Sequence, residues 1–244
     1  MTSNHHTDEV FRKKRIVKNP IKFKIQLNEE QKTAKSKILE NTLTILAGKA
    51  GSGKTLLACN VALDGLLRRQ YSKIIITRPT VSKEEIGFLP GDLHQKMDPW
   101  VQPIYQNMYA LYGKDKVQPF IDSGQIEIVP VSFMRGRTFL DSCIIVDEAQ
   151  NVTHEQMEMI STRIGLRSKM IVCGDDHQVD LRSKADSGFR FLYAAARKIK
   201  NMTGITLNKN HRDPIVDDLI VVYEEAEERG IFKGTSGSSG RSRK

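Results

Sequence analysis

Eight residues near the start of the chain carry its most specific chemical signal: Gly48, Lys49, Ala50, Gly51, Ser52, Gly53, Lys54 and Thr55. They fit G-x-x-x-x-G-K-[ST] at every fixed position, the pattern of a loop that cradles phosphate. Glycines let the backbone curl, so that successive N–H groups converge on one anion. A helix opening near Lys54 adds its positive end to the same point. Lys54 then offers a point charge to the β- and γ-phosphates, and the Thr55 hydroxyl is placed to ligate Mg²⁺. The segment predicts nucleotide binding, with Mg²⁺ as the expected metal. The alternative is a glycine-rich loop that merely turns.

A second cluster follows the run Ile144-Ile145-Val146 and consists of Asp147 and Glu148. Asp147 is expected in the Mg²⁺ shell, and Glu148 is expected to accept a proton from an attacking water. Two adjacent carboxylates repel unless a cation or a proton lies between them. Alone, the pair also fits a strand that ends in solvated acids. In one chain with the phosphate loop, it supplies the second half of a hydrolytic site.

Both clusters need a scaffold that delivers them to one edge. Thr42–Ala47, Lys73–Arg78, Ile126–Val129, Cys143–Val146 and Met170–Cys173 are short apolar runs ending at Gly, Pro or acids, and Ile205–Leu207 is a weaker sixth. Runs apolar on both faces suit a buried parallel sheet. Helical patterns lie between them at Thr55–Arg69, Pro103–Leu111, His154–Ile164 and Phe189–Ile199. The alternation predicts an α/β fold with a mostly parallel sheet flanked by helices. In such sheets ligands bind beyond the carboxyl ends of the strands, where every polar cluster named here falls.

With 244 residues, 39% hydrophobic and 27% charged, the chain reads as one soluble globular domain with small appendages. It contains no apolar run of membrane-spanning length, and its polar first ten residues do not look like a secretory signal. Cys59, Cys143 and Cys173 lie in separate apolar segments, which suits buried thiols in a cytoplasm better than a disulfide framework or a zinc site. Of the net charge of +9, residues 1–26 carry +5 and residues 234–244 carry +3, which leaves +1 for 27–233. We therefore expect a basic arm (1–26), one α/β domain (27–233) and a flexible Gly/Ser-rich basic tail (234–244). Arg12-Lys13-Lys14-Arg15 could touch phosphate backbones or simply be solvated.

Further motifs follow one another along the chain: Gly87-Phe88-Leu89-Pro90-Gly91-Asp92-Leu93, Arg135-Gly136-Arg137-Thr138, Val146-Asp147-Glu148-Ala149-Gln150-Asn151, and Ser168-Lys169-Met170 leading to Gly174-Asp175 and Gln178. In their order and spacing they are similar to the PhoH family of ATPases. The resemblance runs from about Leu27 to Val222 and is strongest to the short members often carried by bacteriophages. It implies a RecA-like P-loop NTPase core related to the first domain of superfamily one helicases. Gln31 then resembles the adenine-reading glutamine of those enzymes, and it also fits a capping box with Asn28. Gln178 resembles a residue that senses the γ-phosphate or positions water, and Arg212 resembles the arginine that neutralises transition-state charge. His211 stands where helicases usually carry tyrosine.

Arg78 follows the second strand, where helicases contact the nucleic-acid backbone; it could bind phosphate or pair with an acid at the sheet edge. Arg135 and Arg137 could line a groove or reach a neighbouring subunit. Phe88, Trp100 and Tyr105 could stack bases or join the core. The resemblance implies Mg²⁺-dependent hydrolysis of ATP, coupled to RNA or single-stranded DNA, by a cytoplasmic homo-oligomer, most simply a hexameric ring. A different class of function is a nucleotide-gated assembly module with slow hydrolysis and no remodelling.

Overall fold

A computed structural model describes residues 23–79, 93–211 and 213–231. The basic arm through Lys22, the tail, the Gly87–Leu93 motif (with Phe88) up to Asp92, and Arg212 lie outside the described residues. The described residues include six strands: β1 (Leu43–Ala47), β2 (Lys73–Thr77), β3 (Ile126–Ile128), β4 (Ser142–Val146), β5 (Lys169–Gly174) and β6 (Met202–Thr206). They form one sheet in the order β3-β2-β4-β5-β1-β6, with every pairing parallel. The helices are α1 (Glu29–Glu40), α2 (Lys54–Leu67), α3 (Leu93–Tyr112), α4 (Lys114–Asp122), α5 (His154–Ser161), α6 (Gly188–Ala195) and α7 (Ile215–Glu228).

Strand alternation divides the apolar side chains into two layers. Leu46, Ile74, Ile76, Cys143, Ile145, Ile171 and Cys173 face one side, against Ile38 of α1, Leu57 and Leu63 of α2, Met108 of α3 and Val117 of α4. Ile45, Ile75, Ile144, Val146, Met170 and Val172 face the other, against Met157 and Ile160 of α5 and Phe189 and Leu192 of α6. Each fully buried Leu or Ile contributes roughly 1.5–3 kcal/mol. A surface ion pair contributes about 0–1 kcal/mol, so these two layers, not the charged surface, hold the sheet in place. All three cysteines are buried free thiols, and burial pushes that of Cys143 up to about 12.

Local chemistry explains where the elements depart from the periodicity. The last strand starts at Met202 rather than Ile205, because Gly204 interrupts the apolar run. That glycine is required by packing: a Cβ there would lie 2.9 Å from the Tyr193 ring. Helix α5 stops at Ser161, three residues before the apolar pattern does. Thr162 Oγ1 and Arg163 Nε turn back onto the Glu158 and Met159 carbonyls and satisfy the helix end. At the opposite end of the sheet, Lys169 Nζ donates to the Ile38, Leu39 and Asn41 carbonyls and closes the C-terminus of α1.

The chain forms two compact units, one ending at Lys209 and one beginning at Asn210. The second contains α7, whose first turn is anchored where Asp213 Oδ1 accepts from the Ile215 amide at 3.1 Å. Among the described residues no helix is long and apolar enough to cross a membrane.

Candidate active site

The phosphate loop joins the end of β1 to the start of α2. Gly51 (φ +86°) and Gly53 (φ +83°) occupy the left-handed region, which only glycine enters without cost. Gly48 is constrained in a second way: at φ +149°, a Cβ on it would lie 2.4 Å from the Leu207 carbonyl oxygen and 2.9 Å from Ser52 Oγ. The loop is therefore pressed against the residue that follows β6. Ser52 is buried, and its amide donates to the Lys49 carbonyl at 3.2 Å. Lys54 Nζ donates to the Gly48 and Lys49 carbonyls at 2.6 and 3.0 Å. The ammonium thus lies within the curl formed by Gly48, Lys49, Ala50 and Gly51.

The acid pair arrives from β4, with β5 between it and β1. Thr55 Oγ1 donates to Asp147 Oδ1 at 2.8 Å, which joins the two halves of the site. Asp147 is only 5% exposed. Burial raises its carboxyl above the usual carboxylate range and Glu148 adds repulsion, while the Thr55 bond and Arg78 draw it back. A hydroxyl and a carboxylate converging at one point are the hard oxygen donors that Mg²⁺ takes, so these residues fit that ion.

Glu148 sits at φ +50° and ψ 39°, a conformation that costs a non-glycine residue on the order of 1–3 kcal/mol. The strain turns its carboxylate onto two partners. Gln150 Nε2 donates to Oε2 at 2.7 Å, and Arg78 Nη2 approaches Oε1 at 3.5 Å. Gln150 is itself buried, and its Oε1 accepts from the Asp175 amide at 3.0 Å. The acid is therefore tied to the end of β5. Arg78, at the exit of β2, also donates from Nη1 to the Trp100 carbonyl at 3.0 Å. Of the two roles open to Arg78, pairing with an acid is the one seen.

Beyond β5 the chain passes through Asp175–Gln178, with a cavity on each side. One, of about 350 Å³, is lined by Arg78, Trp100, Glu148, Gln150, Gln178 and Asp180, among others. The other, of about 340 Å³, is lined by Gly48, Lys49, Asp175, His177, Tyr193 and Asn208, among others. Gln178 thus shares a cavity with Glu148, while its backbone amide donates to the Asp175 carbonyl at 3.1 Å.

Gln31 is buried at the third position of α1, in a capping box. Its amide donates to Asn28 Oδ1 at 2.8 Å, and its Oε1 accepts from the Asn28 amide at 3.2 Å. Its neighbour Glu30 clasps the segment after β6, accepting from the Asn208 and Lys209 amides at 2.9 and 3.2 Å. Tyr105 belongs to the core, whereas Trp100 borders the cavity of Glu148. Arg137 pairs with Glu127 at 2.9 Å and covers the Phe139 ring.

Sequence reasoning did not assign Gln150 or Glu30. Gln150 had one signal, its place two residues after a candidate base. Glu30 had none, since its partners lie 178 and 179 positions away. Among the described residues, no group of three or more His, Cys, Asp or Glu side chains is placed to hold a metal.

A family model described as PhoH-like protein matches residues 24–224. A PhoH-like protein of Bacillus subtilis is 37% identical over 238 residues, covering 89% of this chain and 75% of its own length. A PhoH-like protein of Synechocystis is 39% identical over 193 residues, covering 78% of this chain. The chain spans 59% of that relative's length. Protein PhoH of Escherichia coli is 39% identical over 164 residues, covering 66% of this chain and 46% of its own. Among solved structures, the Pif1 helicase of Candida albicans superposes with a TM-score of 0.45 at 17% identity, over 82% of this chain and 44% of the helicase. The large terminase of a thermophilic bacteriophage gives a TM-score of 0.49 at 9% identity, over 75% of this chain and 46% of the terminase.

Proposed function

The chain belongs to the PhoH-like protein family, and from that premise we propose that it hydrolyses ATP to ADP and phosphate and couples the cycle to single-stranded nucleic acid. The observation that carries the reading is the 2.8 Å contact between Thr55 and Asp147, residues 92 positions apart. It brings a phosphate-cradling loop and an acid pair to one crevice, as hydrolysis requires.

In this reading the amides of Gly51, Ser52, Gly53 and Lys54 and the Lys54 ammonium bind the β- and γ-phosphates. Thr55 and Asp147 hold Mg²⁺, which when bound neutralises charge on the phosphate oxygens. Glu148 takes a proton from water. The water oxygen bonds to the γ-phosphorus, the bond from that phosphorus to the β,γ-bridging oxygen breaks, and the electron pair leaves with ADP. Gln178 orients the water, Gln31 reads the adenine edge, and Arg212 neutralises developing charge. A single ATPase core is completed by neighbouring copies in a ring, most simply a hexamer, in the cytoplasm.

The ties of Glu148 to Gln150 and Arg78 favour a second reading, a nucleotide-gated assembly module with slow hydrolysis. ATP turnover by the parent and by Glu148→Gln, with and without single-stranded RNA and DNA, separates the two. Stimulation of the parent by a polynucleotide, and a Glu148→Gln protein that retains ATP and RNA but does not turn over, support the enzyme. Equal, slow turnover with every polynucleotide supports the module.

A further inference from the structure

We propose that Arg78 is a removable restraint on Glu148, released when a phosphodiester of single-stranded nucleic acid enters the cavity that the two residues share. The inference rests on the proposed role of Glu148 as base and on coupling to nucleic acid, and it names the group through which that coupling passes.

Three observations support it. First, the two ties on Glu148 are unequal. The Gln150 contact is short, at 2.7 Å, and comes from a buried side chain that is itself anchored to the Asp175 amide. The Arg78 contact is 3.5 Å, at the outer limit of a hydrogen bond, between side chains 20% and 38% exposed. The arginine is the tie that can break.

Second, Arg78 has donor capacity that its present contacts leave unused. A guanidinium carries five N–H donors. Nη1 serves the Trp100 carbonyl and Nη2 reaches Glu148, while the buried Nε has no partner among the described residues. A phosphodiester accepts two parallel N–H bonds from a guanidinium, which a single carboxylate oxygen at 3.5 Å does not.

Third, the cavity has the chemistry for that exchange. Its volume of about 350 Å³ lies within the range of small-ligand pockets. Arg78 supplies the cation, Trp100 offers an aromatic wall on which a base can stack, and Gln178 and Asn151 supply amides. Among the described residues that line it, the carboxylates are Glu148 and Asp180. Asp180 is committed to Asn151, accepting from Nδ2 at 3.0 Å, while its amide donates to Asn151 Oδ1 at 2.7 Å. An entering phosphate therefore competes with Glu148 for Arg78, and the like charges separate. Glu148 keeps its Gln150 contact and regains the oxygen that Arg78 had occupied, free to accept a proton from water.

The test is steady-state ATP turnover by the full chain, with and without a 20-nucleotide oligouridylate. Arg78→Ala should raise basal kcat by up to about fivefold, the effect of losing one partly exposed ion pair. KM for ATP should stay unchanged, and stimulation by the oligonucleotide should shrink. Arg78→Lys, which keeps a cation near Glu148, should return basal kcat toward the parent value. Arg78→Gln carries the same expectation as Arg78→Ala and serves if truncation prevents folding. An unchanged or lowered basal kcat in both neutral variants overturns the restraint. Glu148→Gln run alongside keeps the failures apart. If it is inactive while the Arg78 variants behave as the parent, only the restraint is lost. If it turns over normally, Glu148 is not the base and the wider reading falls too.

Discussion

Replacing Gly48 by alanine tests whether the phosphate loop is shaped by its own curl alone or also by the strand beside it. The new Cβ would stand 2.4 Å from the Leu207 carbonyl oxygen, a backbone atom that no rotamer change removes. Holding alanine at φ +149° costs on the order of 1–3 kcal/mol. Backing the loop away from Leu207 stretches the hydrogen bond from the Leu207 amide to the Ala47 carbonyl, 2.8 Å long, at a further cost of about 0.5–1.5 kcal/mol. The sum is about 1.5–4.5 kcal/mol. For a chain of this size each kcal/mol lowers the melting temperature by about 2–4 °C, so a drop of about 3–18 °C is expected. Thermal unfolding followed by circular dichroism measures it. Gly136→Ala is the control, since Gly136 also has positive φ (+77°) but its Cβ would meet nothing within 4 Å. If Gly48→Ala melts no lower than Gly136→Ala, contact with Leu207 does not constrain the loop and the reasoning fails.

Two further outcomes concern charge. Burial, with repulsion from Glu148 second, raises the Asp147 carboxyl, so its folded-state pKa lies above the unfolded one. Its contribution to stability is then present at low pH and lost as pH rises through the folded value. Asp147→Asn should therefore melt higher than the parent near neutral pH while losing Mg²⁺-dependent turnover; a lower melting temperature would contradict this. Glu127 behaves oppositely. Burial pushes its carboxyl up, but the bonds from Arg137 at 2.9 Å and Lys73 at 3.2 Å outweigh it and leave the group lowered. Its stabilisation is present above the unfolded pKa and lost as pH falls through the folded one, so Glu127→Gln should flatten the acid limb of the melting curve. Both partners are over 40% exposed, which limits the effect to under about 1 kcal/mol.

The parts of the fold that local chemistry dictates were legible in the residues themselves. Five apolar runs ending at Gly, Pro or acids became buried parallel strands, because a sheet covered on both faces selects that composition. The phosphate loop was legible because its geometry demands glycine at fixed spacing. What stayed hidden was set by tertiary neighbours. Gly204 concealed where the sixth strand starts, because its reason for being glycine is Tyr193, on another element. Helix α4 has nine residues with Pro119 inside, too short and too interrupted for periodicity to register. Arg78 and Glu148 meet across 70 positions, and no spacing rule distinguishes such an ion pair from a phosphate contact.

The candidate active site lies along one rim of the sheet, and this frees the other. The turn before β5 carries Leu166, 74% exposed, and Arg167, which grips Asp141 through two bonds of 2.7 Å. Six residues of β5 separate that turn from the loop bordering both cavities, a span of about 20 Å. A fluorophore or surface tether fixed at Leu166 would therefore report on the molecule from its far side, leaving both cavities unobstructed.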